Sequence, residues 1–296
     1  MVMIRAESLK EKIIRALHYL FLTLIALVTI YPFWTQVVLS FESGAAVYNS
    51  GLLLYPQNFS LEGYKLAFKY DMLWSGYANT ILRVLTGVML SLTFTSLTAF
   101  PLSKTALPFN RTFTGFILFT MLFGGGLIPS YLLVKNLGLY DSIWALVIPG
   151  SISAFNVLIM RNFFRSIPDS LEESARVDGA GYWRIFATII VPLSLPVIAT
   201  VALWVGVMHW NAWFDSMIYI SDSNKQVLQI VIRRILTDNN VSDLKAAMVK
   251  MENKTTFSGR ELQATMIMLS ILPMLVVYPF IQRFFVKGIM LGAIKG

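Results

Sequence analysis

The sequence predicts an all-α polytopic membrane protein that crosses a bilayer six times. Three observations carry this. Only 14% of the 296 residues are charged, against about 25% in a soluble chain of this size. The mean hydropathy is +0.65. Six mostly apolar runs, each close to the roughly 20 residues a span needs, lie at about 14–40, 75–101, 113–134, 143–161, 193–215 and 263–285. Residues 1–296 read as a single transmembrane domain, with no convincing internal repeat and no low-complexity tract. The 21 Phe, 12 Tyr and 7 Trp fit lipid-facing and interfacial surface.

The first run follows Arg5, Lys10, Lys12 and Arg15 and has no small-residue cleavage site near its end, so it reads as a span and not as a removed signal. The second contains Arg83, with Asn79 one turn earlier on the same face. A charge two turns into a span costs several kcal/mol, about 2.5 or more, unless it is paired, hydrated or snorkelled. Arg83 is therefore either snorkelled or part of a structural pair, or else a polar lining residue of a water-filled path. The third run carries Gly124-Gly125-Gly126, which marks a loosened or kinked helix with close neighbours, or a flexible point on a path. The fifth ends in His209-Trp210-Asn211-Ala212-Trp213, an interfacial aromatic anchor or a wall of the path, where ring faces suit sugars. Beyond it, the loop 216–262 opens with a partly amphipathic stretch in which Val227, Leu228, Ile230, Val231, Ile235 and Leu236 interleave with Arg233 and Arg234. An ordered loop of this length is usually functional.

Charge fixes the orientation. Both termini, the loop between spans two and three, and the segment 161–192 hold 13 Lys and Arg, whereas the two short opposite loops hold only Lys65, Lys69 and Lys135. The positive-inside rule places both termini and the 162–192 loop in the cytoplasm. The inner side then carries 13 basic and 6 acidic residues, Arg83 adds one positive charge inside the second span, and the outer segments balance. The net charge of +8 thus records topology and gives no case for a nucleic-acid partner.

Several chemistries are excluded. With no cysteine there is no disulfide, thiol or Cys-ligated metal. The two histidines, His18 and His209, have no metal spacing. There is no G-x-x-x-x-G-K-[ST], so the chain does not hydrolyse ATP by itself, and no catalytic cluster stands at membrane depth. Catalytic and metal residues are accordingly none, and no cofactor is expected on this chain.

The most specific segment is 168–196, PDSLEESARVDGAGYWRIFATIIVPLSLP. It is a short charged helix-like stretch between apolar runs. Pro168 suits a first turn, and Ser170 with Glu173 has capping-box spacing. Gly179-Ala180-Gly181 ends it, and Pro192 and Pro196 follow an apolar run. Glu173-Ser174-Ala175, Gly179, Ile189, Val191 and Pro192 resemble the E-A-A-x3-G-x9-I-x-L-P loop of ABC importer permeases, with Ser174 for Ala and Val191 for Leu. Arg176-Val177-Asp178-Gly179-Ala180 looks like the carbohydrate-uptake branch. Trp210-Asn211 and the tail Val286-Lys287-Gly288-Ile289 resemble maltose-type permeases. Asn79 to Arg83 and Pro101 to Lys104 look closer to the LplC-like oligosaccharide permeases, near which alginate importer permeases lie.

The resemblance implies a type I ABC importer permease fold in a bacterial inner membrane and a cytoplasmic coupling helix at 168–181. Glu172, Glu173, Ser174, Ala175, Asp178 and Gly179 would then contact an ATPase dimer that holds ATP and Mg. It also implies a homologous second permease, an extracytoplasmic substrate-binding protein met by Arg233 and Arg234, and an oligosaccharide whose path includes Asn79, Arg83, Trp210 and Asn211. A permease for a polyol or glycerol phosphate is the alternative. A secondary transporter would need coupling carboxylates within spans, and none lies mid-span.

Overall fold

The computed structural model describes residues 9–43, 47, 51–237 and 259–293, with side chains as far as residue 279. The described chain is helical throughout, with only an isolated antiparallel bridge between Glu42 and Phe59. The helices are α1 (Leu9–Leu39), α2 (Glu62–Phe68), α3 (Asp71–Ser103), α4 (Asn110–Leu122), α5 (Leu127–Asn136), α6 (Ile143–Val147), α7 (Ala154–Arg165) and α8 (Asp169–Val177). They continue as α9 (Tyr182–Ile185), α10 (Val191–Leu193), α11 (Leu195–Asn211), α12 (Phe214–Tyr219), α13 (Leu228–Thr237) and α14 (Gly259–Ala293).

Among the described residues, α1, α3 and the Gly259–Pro279 stretch of α14 are long and apolar enough to cross a membrane unaided. Two further helix pairs are long and apolar enough only when taken together, and each is bent at a short break: α4 with α5, at 111°, and Tyr182–Leu193 with α11, at 78°. Both bends have local causes. Gly124 to Gly126 break the third run, and Gly126 sits at φ +84°, where a side chain is strained. In the second pair, Pro192 has no N–H to give to the carbonyl of Thr188, and Phe186–Ile190 widen into a π-helical stretch. The helix then breaks at Ser194, and Pro196 stands in the first turn of α11. The expected single span 143–161 is instead divided between α6 and α7, because Pro149-Gly150 interrupts it. The expected fifth span ends early, at Asn211, with α12 starting afresh at Phe214.

The chain forms two compact units. In one, residues 1–69 and 235–271, the described core gathers Leu39, Val47 and Ala264, with Leu53 against it. The buried Glu42 accepts from the backbone N–H of Gln57 (2.6 Å) and Asn58 (2.7 Å), and Glu261 accepts from Gly63 (3.1 Å). These bonds fix the segment that precedes α3.

The other unit, residues 70–234 with 272–296, is built on α3, which packs against α7 and α11. Its main core joins Ala99, Phe100 and Leu102 of α3, Val157, Met160 and Phe164 of α7, Ile185 and Ile190, and Val197, Val201 and Val205 of α11. Small residues on α3 allow the close approach. A side chain at Gly87 would meet the ring of His209 directly. A second core, with Val134, Leu146, Val147, Tyr219, Ile220 and Val227, lies beside the loop that follows α12.

Candidate functional site

Helix α8 is held by one face. Glu172 is buried (4% exposed) and Ala175 packs on the main core, whereas Asp169, Ser170, Leu171, Glu173, Ser174, Arg176 and Val177 all face outward. The capping box does not form. Pro168 takes the N-cap place, and Ser170 lies inside the helix without capping it. The other end is better made. The N–H of Ala180 donates to the carbonyl of Ala175 (2.9 Å), and that of Gly179 to Arg176 (3.0 Å). With Gly179 at φ +81°, this is a Schellman termination, which favours glycine at that position.

The inward anchor is ionic. The Lys104 ammonium, at the C-cap of α3, pairs with Glu172. It also lies over the Phe100 ring, 5.0 Å from its centroid. Arg176, 4.0 Å from the same carboxylate, lies over Tyr182 at 4.9 Å. The end of α3 is tied further: Asn110 Nδ2 donates to the carbonyls of Leu102 (3.0 Å) and Lys104 (2.8 Å), and Arg161 Nε of α7 donates to Leu102 (2.9 Å). Between α8 and the 104–108 turn lies a cleft of about 870 Å³, walled by Lys104, Glu172, Glu173, Arg176, Tyr182 and Trp183. Four apolar side chains stand in solvent nearby: Val177 (89% exposed), Trp183 (73%), Tyr182 (62%) and Leu171 (41%).

At the opposite end of α3 the remaining candidates separate. Arg83 is 2% exposed and fully engaged: Nη1 and Nη2 meet the Asp215 carboxylate, Nε donates to His209 Nδ1 (3.2 Å), and Nη1 reaches the Ala212 carbonyl (3.4 Å). These contacts link α3 to α11 and α12. Asn79 donates through Nδ2 to the carbonyls of Asn224 (2.7 Å) and Gln226 (3.1 Å). Next to it, Thr80 Oγ1 receives the N–H of Leu228 (2.9 Å), the first residue of α13. Trp210 is buried, 6.4 Å from the Tyr77 ring, and Asn211 is exposed, its amide donating to Val207 (2.9 Å). Arg233 is exposed and stacks over Trp213 at 3.9 Å, and Arg234 is exposed beside it. The loop before α13 is clipped by Asp141, which accepts from Ser221 N (2.9 Å), Asp222 N (3.0 Å) and Lys225 Nζ (2.8 Å). The hydrogen bond from Lys225 and then that from Asp222 hold the Asp141 carboxyl below its usual range. No cluster able to hold a metal exists among the described residues.

Residues 11–291 match the family described as binding-protein-dependent transport system inner membrane component. The chain belongs to this family. Among similar members is the polygalacturonan/rhamnogalacturonan transport system permease protein YtcP of Bacillus subtilis (strain 168), 38% identical over 97% of this chain and 100% of that one. Protein LplC of the same organism is 37% identical over 94% of each chain. A chain from the crystal structure of a bacterial ABC transporter involved in the import of the acidic polysaccharide alginate superposes with a TM-score of 0.89 at 33% identity, over 94% of this chain and 99% of that one. The fold is therefore that of a type I ABC importer permease.

Two partners in these sites escaped sequence reading. Asp215 could have been found by asking which acid lies at the membrane depth of the orphan Arg83. Lys104 carried no such signal, because a lysine just past a span reads as ordinary positive-inside charge.

Proposed function

We propose that this permease forms half of the translocation path for an acidic oligosaccharide, of the polyuronate or alginate type, and couples it to cytoplasmic ATPases through residues 168–181. The observation that carries the coupling reading is the surface of α8: Val177 and Leu171 stand in solvent beside Glu173 on a helix anchored from its inner side through Glu172 and Ala175. Exposed apolar side chains grouped with charge mark a protein contact. Glu173, Asp169 and Asp178 offer carboxylates to basic residues of a partner, where charge-assisted hydrogen bonds are strong. Glu172 serves the inner side of the same helix. The substrate class rests on the likeness to a permease named for polygalacturonan and to an alginate importer.

In this reading both termini lie in the cytoplasm, and a second permease completes the path. ATP and Mg act on the ATPase subunits, and this chain has no catalytic residue. A substrate-binding protein docks outside, where Arg233 and Arg234 of α13 contribute to its contact. Of the outer loop 216–262, residues 238–258 lie outside the described residues. ATP closure moves α8, and the cavity exchanges inward for outward access because the ligands bind the two states unequally.

The test is Glu173→Lys in the reconstituted complex. Uptake of an oligouronate and the ATPase stimulation given by loaded binding protein should both fall, with membrane insertion unchanged. Unchanged values for both would remove α8 from the mechanism. Equal uptake of a neutral malto-oligosaccharide would remove the acidic substrate class.

A further inference from the structure

The described contacts place two joints at the two ends of a single helix. At one end of α3, Lys104 pairs with the buried Glu172 of α8. At the other, Asn79 and Thr80 hold the backbone of Asn224, Gln226 and Leu228, the segment that leads into α13. Between them α3 runs unbroken from Asp71 to Ser103. At 1.5 Å per residue, Thr80 and Lys104 are about 36 Å apart along its axis.

The chemistry of the two joints suits transmission. A charge pair at 19% and 6% side-chain exposure is little screened, and loss of either member strands a buried charge. Lys104 cannot move independently of α3, since the backbone around it is tied by Asn110 and Arg161. The far joint uses backbone carbonyls and a backbone N–H of the loop, so it fixes the path of the chain and not one side chain. Arg83, between the joints, binds α3 to α11 and α12 through Asp215 and His209. A displacement of α8 is thus delivered to α3 directly, in addition to the covalent route through α7 and α9.

We infer that Lys104–Glu172 is a coupling joint, and that α3 acts as a push-rod by which the ATPase-facing helix sets the position of the loop presented to the binding protein. Lys104 and Glu172 are positioning residues in this scheme. They touch neither sugar nor nucleotide. The inference rests on the proposed docking of α8 on the ATPase. By reciprocity of linked binding equilibria, cutting the joint also weakens the message in the opposite direction, from loaded binding protein to ATPase.

The experiment uses the whole reconstituted complex with an oligouronate-loaded binding protein. Glu172→Gln and Lys104→Met should leave the ATPase co-purifying and its unstimulated hydrolysis unchanged. Stimulation by the binding protein should fall by about tenfold, within the range over which single substitutions shift coupling. The charge exchange Lys104→Glu with Glu172→Lys, and Lys104→Arg alone, should restore it. Asn79→Ala, at the far joint, should lower stimulation with assembly intact. Should the single variants fail to assemble, Lys104→Cys with Glu172→Cys replaces them, since the chain has no native cysteine. Joining the two thiols with a short bifunctional reagent should then recover stimulation. Stimulation at the wild-type level in both single variants, or a cross-linked joint that abolishes it, overturns the inference. If Glu173→Lys uncouples while the joint variants do not, the joint fails and the docking reading stands. If Glu173→Lys also has no effect, the docking reading itself has failed.

Discussion

Asp215→Ala gives the most direct measure of how this permease tolerates a guanidinium inside its span bundle. Arg83 is 2% exposed, and the carboxylate it meets is 30% exposed. Removing one member of a buried pair costs about 3–5 kcal/mol, mostly because the other charge is left without compensation. Here Arg83 would keep His209 Nδ1 at 3.2 Å and the Ala212 carbonyl at 3.4 Å, and water can reach the vacated place. The lower end, about 3 kcal/mol, is therefore expected. The double variant Arg83→Met, Asp215→Ala removes both charges and keeps an apolar stem in the α3–α11 contact. It should lie within about 1 kcal/mol of wild type, as apolar replacement of a whole buried pair is often neutral. Denaturant titration of the purified complex in mixed micelles measures both, and uptake after reconstitution follows. A cost under about 1 kcal/mol for Asp215→Ala, or a double variant that costs the sum of the singles, would show that the pair is not the closed unit described here. A stable double variant with wild-type uptake would also take Arg83 off the substrate path.

Further outcomes follow from other contacts. Gly87→Ala should cost about 1–3 kcal/mol by overpacking the His209 ring, and His209→Ala added to it should recover most of the loss; equal melting of Gly87→Ala and wild type would contradict the close approach of α3 and α11. Gly179→Val, at φ +81° in the termination of α8, should lower ATPase association more than Ser174→Ala, whose hydroxyl bonds only to Leu171 of its own helix; equal small effects would mean the turn is not critical. Single cysteines at Ser223 and Ser170 test topology with a membrane-impermeant thiol reagent: Ser223 should label in spheroplasts and Ser170 only after the membrane is opened, and outside labelling at Ser170 would reverse the assigned orientation.

The helical class and the approximate places of the apolar runs were legible because both depend on composition over some 20 residues at a time. The glycine bend at 124–126 was readable for a local reason, since three glycines remove the steric preference that keeps a helix straight. The division at Pro149-Gly150 was not read, because residues 143–161 are apolar enough to pass for one span whatever their backbone does. In the candidate sites, Gly179 was predictable from its place after a short charged helix. The inward turn of Glu172 was not. Nothing in DSLEESARV says which carboxylate faces in, and the answer depends on Lys104, 68 residues earlier in the chain. Arg83 was recognisable as a costly charge, but its partners come from α11 and α12, and pairings between distant helices leave no mark on sequence spacing.

The glycine bend has a consequence for the life of the subunit before assembly. Between Phe123 and Gly126 the chain leaves helical geometry, and the residues from Phe119 to Ser130 are exposed on this chain. Hydrocarbon does not hydrogen-bond to bare peptide groups, so such a segment is tolerated at membrane depth only when protein or water covers it. In the proposed two-permease assembly, a chain inserted without its companion leaves this stretch uncovered, a ready mark for membrane proteases and chaperones, and an excess of this chain over its companion should be short-lived.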